Sequence, residues 1–99
     1  MTFYVELSPV AQKFLDKLDN SVRIPLVKRI KYLETDPSHK GKTIGDGFRE
    51  LRYEKFRVYF DIMHDVILIE KIEYEGKVNV LKIGDKNSQD KDIKQIKGC

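Results

Sequence analysis

Phe56-Arg57-Val58-Tyr59-Phe60-Asp61-Ile62-Met63 is the stretch that decides the fold, because its side chains fall into two alternating sets. A period of two residues is typical of a β-strand, whose successive side chains point to opposite faces of a sheet. The set expected to pack against helices comprises Phe56, Val58, Phe60 and Ile62. The set expected to lie on an open face comprises Arg57, Tyr59, Asp61 and Met63.

The sequence around this stretch predicts three more strands. Runs of β-branched and aromatic residues are separated by short turns at 54–55, 64–65 and 75–76, which is typical of an antiparallel meander. The predicted strands cover residues 48–53, 56–63, 66–74 and 77–83. A short polar helix over 88–97, with only Ile93 and Ile96 to anchor it, is expected to follow them.

The amino-terminal half has the pattern of a strand followed by two helices. Residues 3–7 alternate, Ser8-Pro9 is typical of a helix start, and Asp36-Pro37 ends the second helix. Residues 38–47 contain three glycines and predict a long surface loop. The predicted fold class is therefore α+β, with an amino-terminal strand and a two-helix hairpin packed on a mainly antiparallel sheet. We expect one domain spanning residues 1–99.

Composition favours a folded, soluble protein. Of 99 residues, 40% are hydrophobic and 35% charged, which argues against disorder. No apolar run approaches the roughly 18 residues of a membrane helix, the amino terminus has no signal-peptide pattern, and Cys99 is the only cysteine. We therefore expect a cytoplasmic protein without a membrane association.

The sequence predicts no metal site and no cofactor. It contains no HExxH motif, no phosphate-binding glycine loop and no Gly-x-Ser-x-Gly motif. His39 and His64 lack partners at metal-ligand spacing, and we interpret both as ordinary solvated side chains.

Positive charge is concentrated on the predicted sheet. The net charge is only +3, but residues 49–57 carry four cations against two anions. Arg57 offers a planar set of donors suited to phosphate, and the ring of Tyr59 could stack on a base. In the structural alternative, Arg57 pairs with Glu50 or Glu70 across neighbouring strands and Tyr59 only covers the sheet.

Three segments, in this order along the chain, resemble the RelE/ParE toxin superfamily, and most closely its HigB-like branch of phage-derived addiction-module killer proteins. They are Gly47-Phe48-Arg49-Glu50-Leu51-Arg52, Phe56-Arg57-Val58-Tyr59 and Ile83-Gly84-Asp85-Lys86-Asn87-Ser88-Gln89-Asp90-Lys91-Asp92-Ile93. The resemblance spans nearly the whole chain. It implies a toxin that cleaves messenger RNA without a metal, usually on the ribosome, and a partner antitoxin, expected to be of the helix-turn-helix type.

The resemblance also implies roles for individual residues. Arg57 is assigned to the scissile phosphate, Lys86 to stabilising charge or assisting the leaving group, and Asp85, the nearest carboxylate, to the base. RNA binding is assigned to Arg49, Arg52, Lys55, Tyr59 and Lys82. No His or Tyr follows the last strand, where some members of the superfamily place a catalytic acid or base.

Two other functions are compatible with the same fold. A gyrase inhibitor like the ParE branch would act by binding a topoisomerase, and a catalytically inactive descendant would survive as an antitoxin-binding module. The positions of Arg57 and Lys86 favour RNA cleavage over gyrase inhibition.

Overall fold

A mixed five-stranded sheet forms the centre of the computed structural model, which describes residues 2–45 and 47–97. The helices are α1 (Pro9–Asp16), α2 (Asn20–Lys31) and α3 (Gln89–Lys97), and two short 3-10 helices cover Tyr32–Glu34 and Pro37–His39. The strands are β1 (Phe3–Leu7), β2 (Lys42–Thr43), β3 (Arg49–Tyr53), β4 (Phe56–Met63), β5 (Ile67–Ile69), β6 (Ile72–Tyr74) and β7 (Gly76–Asp85).

The sheet has the strand order β1-β7-β4-β3-β2. β1 runs parallel to β7, and the other neighbouring strands are antiparallel. This arrangement confirms the predicted α+β fold class with a mainly antiparallel sheet. Cys99 and Asp46, a residue of the predicted loop, lie outside the described residues.

The prediction that residues 66–74 form the third strand of a meander is wrong. They form a separate hairpin of β5 and β6, and β4 pairs directly with β7. The hairpin turns at Glu70 and Lys71, which have φ angles of 50° and 69°. Positive φ at both central residues gives a tight two-residue turn, but Glu and Lys do not signal it in the sequence as Asn-Gly would.

The long loop predicted over residues 38–47 is also partly wrong. The segment contains the end of a 3-10 helix and β2, which pairs with β3. Gly41 has a φ of 73°, and a Cβ there would lie 2.5 Å from the carbonyl oxygen of Glu50. Glycine therefore lets this segment run close beside β3.

The helix α1 begins as its sequence predicts. The backbone N–H of Ala11 donates to the hydroxyl of Ser8 at 3.1 Å, and that hydroxyl donates to the carbonyl of Leu81 at 2.8 Å. Ser8 thus caps α1 and fastens its start to β7. In α2, Pro25 lies inside the helix, beyond its first turn.

The helices α1 and α2 pack on one face of the sheet, and this layer holds the core. Phe56, Val58 and Phe60 of β4 are buried there and Ile62 packs against them, which confirms the set predicted to face the helices. The helix side of the core is formed by Ala11, Leu15, Leu26 and Ile30.

A β-bulge between β4 and β7 sets which side chains lie on the opposite face. Tyr59 is opposite Lys82 whereas Phe60 is opposite Val80, so Leu81 is an extra residue on β7. The extra residue lets both Val80 and Ile83 reach the core while Lys82 shares the face of Tyr59.

None of the helices in the described ranges is long and apolar enough to cross a membrane.

Gly76, where β7 begins, is expected to be intolerant of a side chain. A Cβ there would lie 2.1 Å from the carbonyl oxygen of Met63 and 2.7 Å from the ring of Phe3, so Gly76→Ala must push β4 and β1 apart. We expect the free energy of unfolding in urea to fall by about 3 kcal/mol. The control, Gly45→Ala, meets no atom within 4 Å and should cost only about 1 kcal/mol for its positive φ; equal losses would contradict the explanation.

Candidate functional site

The face of the sheet opposite α1 and α2 carries two rows of polar side chains. One row runs from Glu50 on β3 through Tyr59 on β4 to Lys82 on β7. In the next row, Arg52 lies directly opposite Arg57, which is opposite Gly84. These rows contain most of the residues to which the sequence assigns RNA binding.

The helix α3 covers the first row. The carboxylate of Asp92 contacts the ammonium of Lys82 at 2.9 Å and accepts a hydrogen bond from the hydroxyl of Ser88 at 2.7 Å. The side-chain amide of Gln89 donates to the carboxylate of Glu50, which is fully buried. The sequence predicted only weak apolar anchoring for this helix, whereas polar contacts hold it on the sheet.

Gly84 allows α3 to approach so closely. A Cβ at Gly84 would lie 2.0 Å from a carboxylate oxygen of Asp92 and 2.9 Å from the hydroxyl of Ser88. The absence of a side chain on this β7 residue therefore makes room for the carboxylate of Asp92.

The expectation that Tyr59 lies on an open face is wrong. The residue is fully buried, its ring meets Phe48 edge-on at 6.5 Å, and its hydroxyl has no hydrogen-bond partner among residues 2–45 and 47–97. Burial raises the pKa of Tyr59, and the negative charges of Glu50 and Asp92 raise it further. With α3 docked, the Tyr59 ring is not available to stack on a base.

Arg57 has no carboxylate partner in the part of the chain that the structure describes. One guanidinium nitrogen donates to the carbonyls of Glu54 and Phe56 at 3.1 and 2.9 Å, and Nε is buried without a partner among the described residues. The alternative in which Arg57 pairs with Glu50 or Glu70 is therefore wrong.

Glu50 pairs instead with Arg52, whose Nε donates to the carboxylate at 2.7 Å. The side chain of Arg52 is 57% exposed, while that of Glu50 is wholly buried. A buried carboxylate needs such partners, and Arg52 and Gln89 supply them. Arg52 is therefore the solvent-exposed partner of a buried carboxylate.

Two lysines lie where the β3–β4 turn meets the end of β7. The backbone N–H of Lys86 donates to the carbonyl of Lys55 at 2.8 Å, and both residues are exposed. Lys55 holds its ammonium 5.5 Å from the centre of the Phe56 ring. The structure therefore brings together four sequence-predicted cations at this end of the sheet, and we call them the cationic end: Arg52, Lys55, Arg57 and Lys86.

Asp85 adjoins the cationic end, but its carboxylate faces the backbone. It accepts hydrogen bonds from the N–H groups of Asn87 at 2.9 Å and Ser88 at 3.1 Å. These contacts shape the turn that leads into α3. Its assignment as a base stays a prediction.

Two sequence-predicted cations do not belong to the cationic end. Arg49 lies on the opposite face of β3, and its guanidinium donates to the carbonyls of Lys40 and Gly41 and to the hydroxyl of Thr43 at 2.8–3.1 Å. Lys82 is held under α3 by Asp92. Both sets of contacts occupy donors that the sequence assigned to RNA.

Sequence reasoning missed the two buried carboxylates that dominate this face, Glu50 and Asp92. The sequence suggests Glu50 only as a partner of Arg57, and it predicts no contact for Asp92. The sequence contains one sign that α3 lies close to the sheet. Gly84 stands at a strand end and is followed by the helix-capping sequence with Ser88 and by Asp92, and a glycine in such a place suggests a close approach of the helix. In residues 2–45 and 47–97 no group of three or more His, Cys, Asp or Glu side chains could hold a metal ion.

Comparisons with known proteins place this geometry in context. No protein-family model matches the chain. An uncharacterized protein of Haemophilus influenzae is 33% identical over 101 residues, which cover 98% of this chain and 92% of that protein.

Solved structures with the same fold include toxins and toxin–antitoxin complexes. The toxin–antitoxin complex RelBE2 of Mycobacterium tuberculosis matches with a TM-score of 0.66 and 17% identity, covering 87% of this chain and 100% of that chain. A mutant of the Escherichia coli toxin RelE in the free state matches with a TM-score of 0.66 and 18% identity, covering 97% and 99%. The intact E. coli RelBE toxin–antitoxin complex matches with a TM-score of 0.60 and 16% identity, covering 84% and 95%.

Alkaline pH should reveal the burial of Tyr59. Because its pKa is raised in the native state, the unfolded chain loses this proton first, and the native state loses stability as the pH rises above about 10. Tyr59→Phe removes this contribution, so the wild type should lose up to ~1.4 kcal/mol per pH unit relative to the variant in that range. Urea unfolding at a series of pH values measures the difference. Tyr32→Phe, at an exposed ring, is the control, and parallel curves for wild type and Tyr59→Phe would contradict the burial.

Gly84→Ala should detach α3 while leaving the sheet folded. The new Cβ would collide with Asp92 and Ser88, so we expect hydrogen-exchange protection of the α3 amides to fall by about tenfold or more, equivalent to ~1.4 kcal/mol. The β1 amides of the same molecules serve as an internal control. Unchanged protection in α3, or an equal loss in β1, would contradict the role given to Gly84.

Proposed function

Since this chain belongs to the family of the H. influenzae protein and has the fold of the RelE toxins, we propose that it is the toxin of a type II toxin–antitoxin pair. Its activity is the metal-independent cleavage of messenger RNA, carried out on the ribosome. Its partner is a cognate antitoxin of the helix-turn-helix type. The toxin–antitoxin complexes with the same fold support the partner, and assignment to the HigB-like branch stays a prediction.

One observation carries the proposal: two arginines lie directly opposite each other across β3 and β4. Like charges in this position destabilise a sheet, and Glu50 offsets only Arg52. An anion bound between Arg52 and Arg57 would relieve the repulsion, and a phosphate fits their planar donors. The exposed Lys55 and Lys86 add to the positive field at the same place.

The chemistry that these residues can support is electrostatic. In the proposed reaction the ribose 2′-oxygen attacks the adjacent phosphate, so negative charge grows on the phosphate oxygens. Arg57 holds the scissile phosphate, Lys86 stabilises the departing 5′-oxygen, and Arg52 and Lys55 bind neighbouring phosphates. Asp85 is the nearest carboxylate for removing the 2′ proton, and it would have to give up its contacts with the turn.

The helix α3 controls access to the rest of the face. Lys82 and Tyr59 contact RNA only when α3 leaves the sheet, whereas the cationic end remains open with the helix docked. The antitoxin is expected to neutralise the toxin by covering the cationic end or by displacing α3.

An antitoxin-binding module without catalytic activity is the second candidate. The burial of Tyr59 and the engagement of Asp85 with the backbone favour it, because both groups would need to be free for stacking and proton transfer. Strong induction that causes neither growth arrest nor transcript cleavage would decide for this candidate.

Arg57→Gln tests the proposed RNA cleavage. Because the variant keeps a polar side chain but loses the positive charge and the planar set of donors, we expect cleavage of messenger RNA to fall by about 10²-fold or more, as when one transition-state donor is removed. Transcript mapping after induction and cleavage by purified protein with ribosomes measure it. Lys71→Gln, in the turn of the separate β5–β6 hairpin, removes one charge outside the cationic end and serves as the control.

Two outcomes would overturn the assignment. Cleavage by a folded Arg57→Gln protein at the wild-type rate would show that the scissile phosphate binds elsewhere. Inhibition of purified gyrase by the wild-type protein, without any RNA cleavage, would instead place its activity with the ParE branch.

A further inference from the structure

A second cationic surface lies on α2, on the other face of the sheet from Arg52 and Arg57. The helix, Asn20–Lys31, contains four cations and no Asp or Glu. Leu26 and Ile30 are buried in the core, so the side chains of Lys28 and Lys31 point to solvent. The exposed surface, which we call the α2 patch, consists of Ile24, Lys28, Arg29, Lys31 and Tyr32.

Lys28 and Lys31 of the α2 patch differ from the arginines of the sheet in their contacts with the rest of the protein. Lys28 and Lys31 make no hydrogen bond or ion pair with any described residue. The side chains of Arg49, Arg52 and Arg57, in contrast, all donate hydrogen bonds within the protein. A solvated helix face usually carries charges of both signs, so a helix with only positive charge is unusual.

An aromatic ring lies among these cations. Tyr32 is 60% exposed, and the guanidinium carbon of Arg29 lies 5.7 Å from the centre of its ring. Ile24 beside them is 54% exposed. Cations next to an exposed ring are the combination that binds single-stranded nucleic acid, because phosphates contact the cations while a base stacks on the ring.

We propose that the α2 patch is a second RNA-binding surface. This proposal rests on the proposed function as an RNA-cleaving toxin. Lys28 and Lys31 contact phosphates, and the ring of Tyr32 with the guanidinium of Arg29 offers a platform for a base. The ring favours RNA over an acidic protein segment, because stacking uses the flat aromatic face as well as the charge.

The position of the α2 patch restricts the RNA it can bind. The helix α2 packs on the core face of the sheet, whereas Arg52 and Arg57 lie on the face that α3 partly covers. A short extended strand at the cationic end would have to pass around the edge of the sheet to reach Tyr32. The α2 patch therefore contacts a separate segment, such as one from a folded RNA that surrounds the protein on two sides.

Neutralising the two free lysines tests the proposal. We expect Lys28→Gln with Lys31→Gln to weaken binding to purified ribosomes and to reduce the salt slope of log K by about 2, or about 1 for each phosphate contact. The matched control is Lys13→Gln with Lys17→Gln, two exposed lysines at the end of α1 with the same loss of charge.

Tyr32→Ala separates stacking from charge. It should weaken ribosome binding about fivefold or more while leaving the salt slope unchanged, since stacking releases no counterions. Circular dichroism confirms that each variant is folded. The proposal is wrong if the α1 and α2 pairs have equal effects, or if the α2 pair loses binding to an acidic antitoxin peptide but keeps its ribosome binding.

The test of the α2 patch does not depend on catalysis, because it measures ribosome binding and not RNA cleavage. If Arg57→Gln still cleaves RNA, the proposed site fails while the α2 patch stands. If the Lys28 and Lys31 variants bind ribosomes like wild type and Arg57→Gln is inactive, the α2 patch fails and the proposed site stands.

Discussion

Two buried carboxylates between the sheet and α3 are the constraint on which the candidate site depends. Removing a charge from water is costly unless other groups replace its solvation. Glu50 meets this requirement through Arg52 and Gln89, and Asp92 meets it through Lys82 and Ser88. The two carboxylates therefore have all of these partners only when α3 is docked on the sheet. This requirement explains how a helix with few apolar anchors stays in place.

The same contacts divide the cations of this face into two groups. Lys82 is already neutralised inside the molecule, and Tyr59 is sealed beneath α3. Arg57 is held by carbonyls, which orient a guanidinium without cancelling its charge. With Arg52, Lys55 and Lys86 it leaves a positive field at one end of the sheet. Charge that is oriented but not neutralised is what a phosphate-binding site requires.

Local patterns predicted the elements well, because each depends on neighbouring residues. The alternation in β4 identified the core side chains, and Ser8-Pro9 located the start of α1. The hairpin at residues 66–74 was missed because its turn uses Glu70 and Lys71, which are not typical turn residues. Residues 66–69 are a continuous apolar run that a single long strand would also show, so only the direct pairing of β4 with β7 reveals the difference.

The candidate site was predicted less well, because its geometry depends on contacts distant in sequence. The sequence placed Arg57 on the face opposite the core, and the structure agrees. The sequence also predicted that this face is open, whereas α3 covers part of it. The burial of Tyr59 depends on the docking of α3 through Asp92 and Gln89, and this helix comes three strands after β4. Arg49 was grouped with Arg52 by proximity in sequence, although residues three apart on a strand lie on opposite faces.

The parallel pairing of β1 with β7 also sets an order on folding. Ser8 bonds to Leu81, 73 positions further along the chain, so the first strand has no neighbour in the sheet until the last strand, β7, is in place. Such distant pairings form late, because the intervening chain must first be brought together. During synthesis, β1, α1 and α2 emerge long before the strands on which they pack. The cationic end, which needs β3, β4 and β7 together, is therefore assembled only after β7 has left the ribosome.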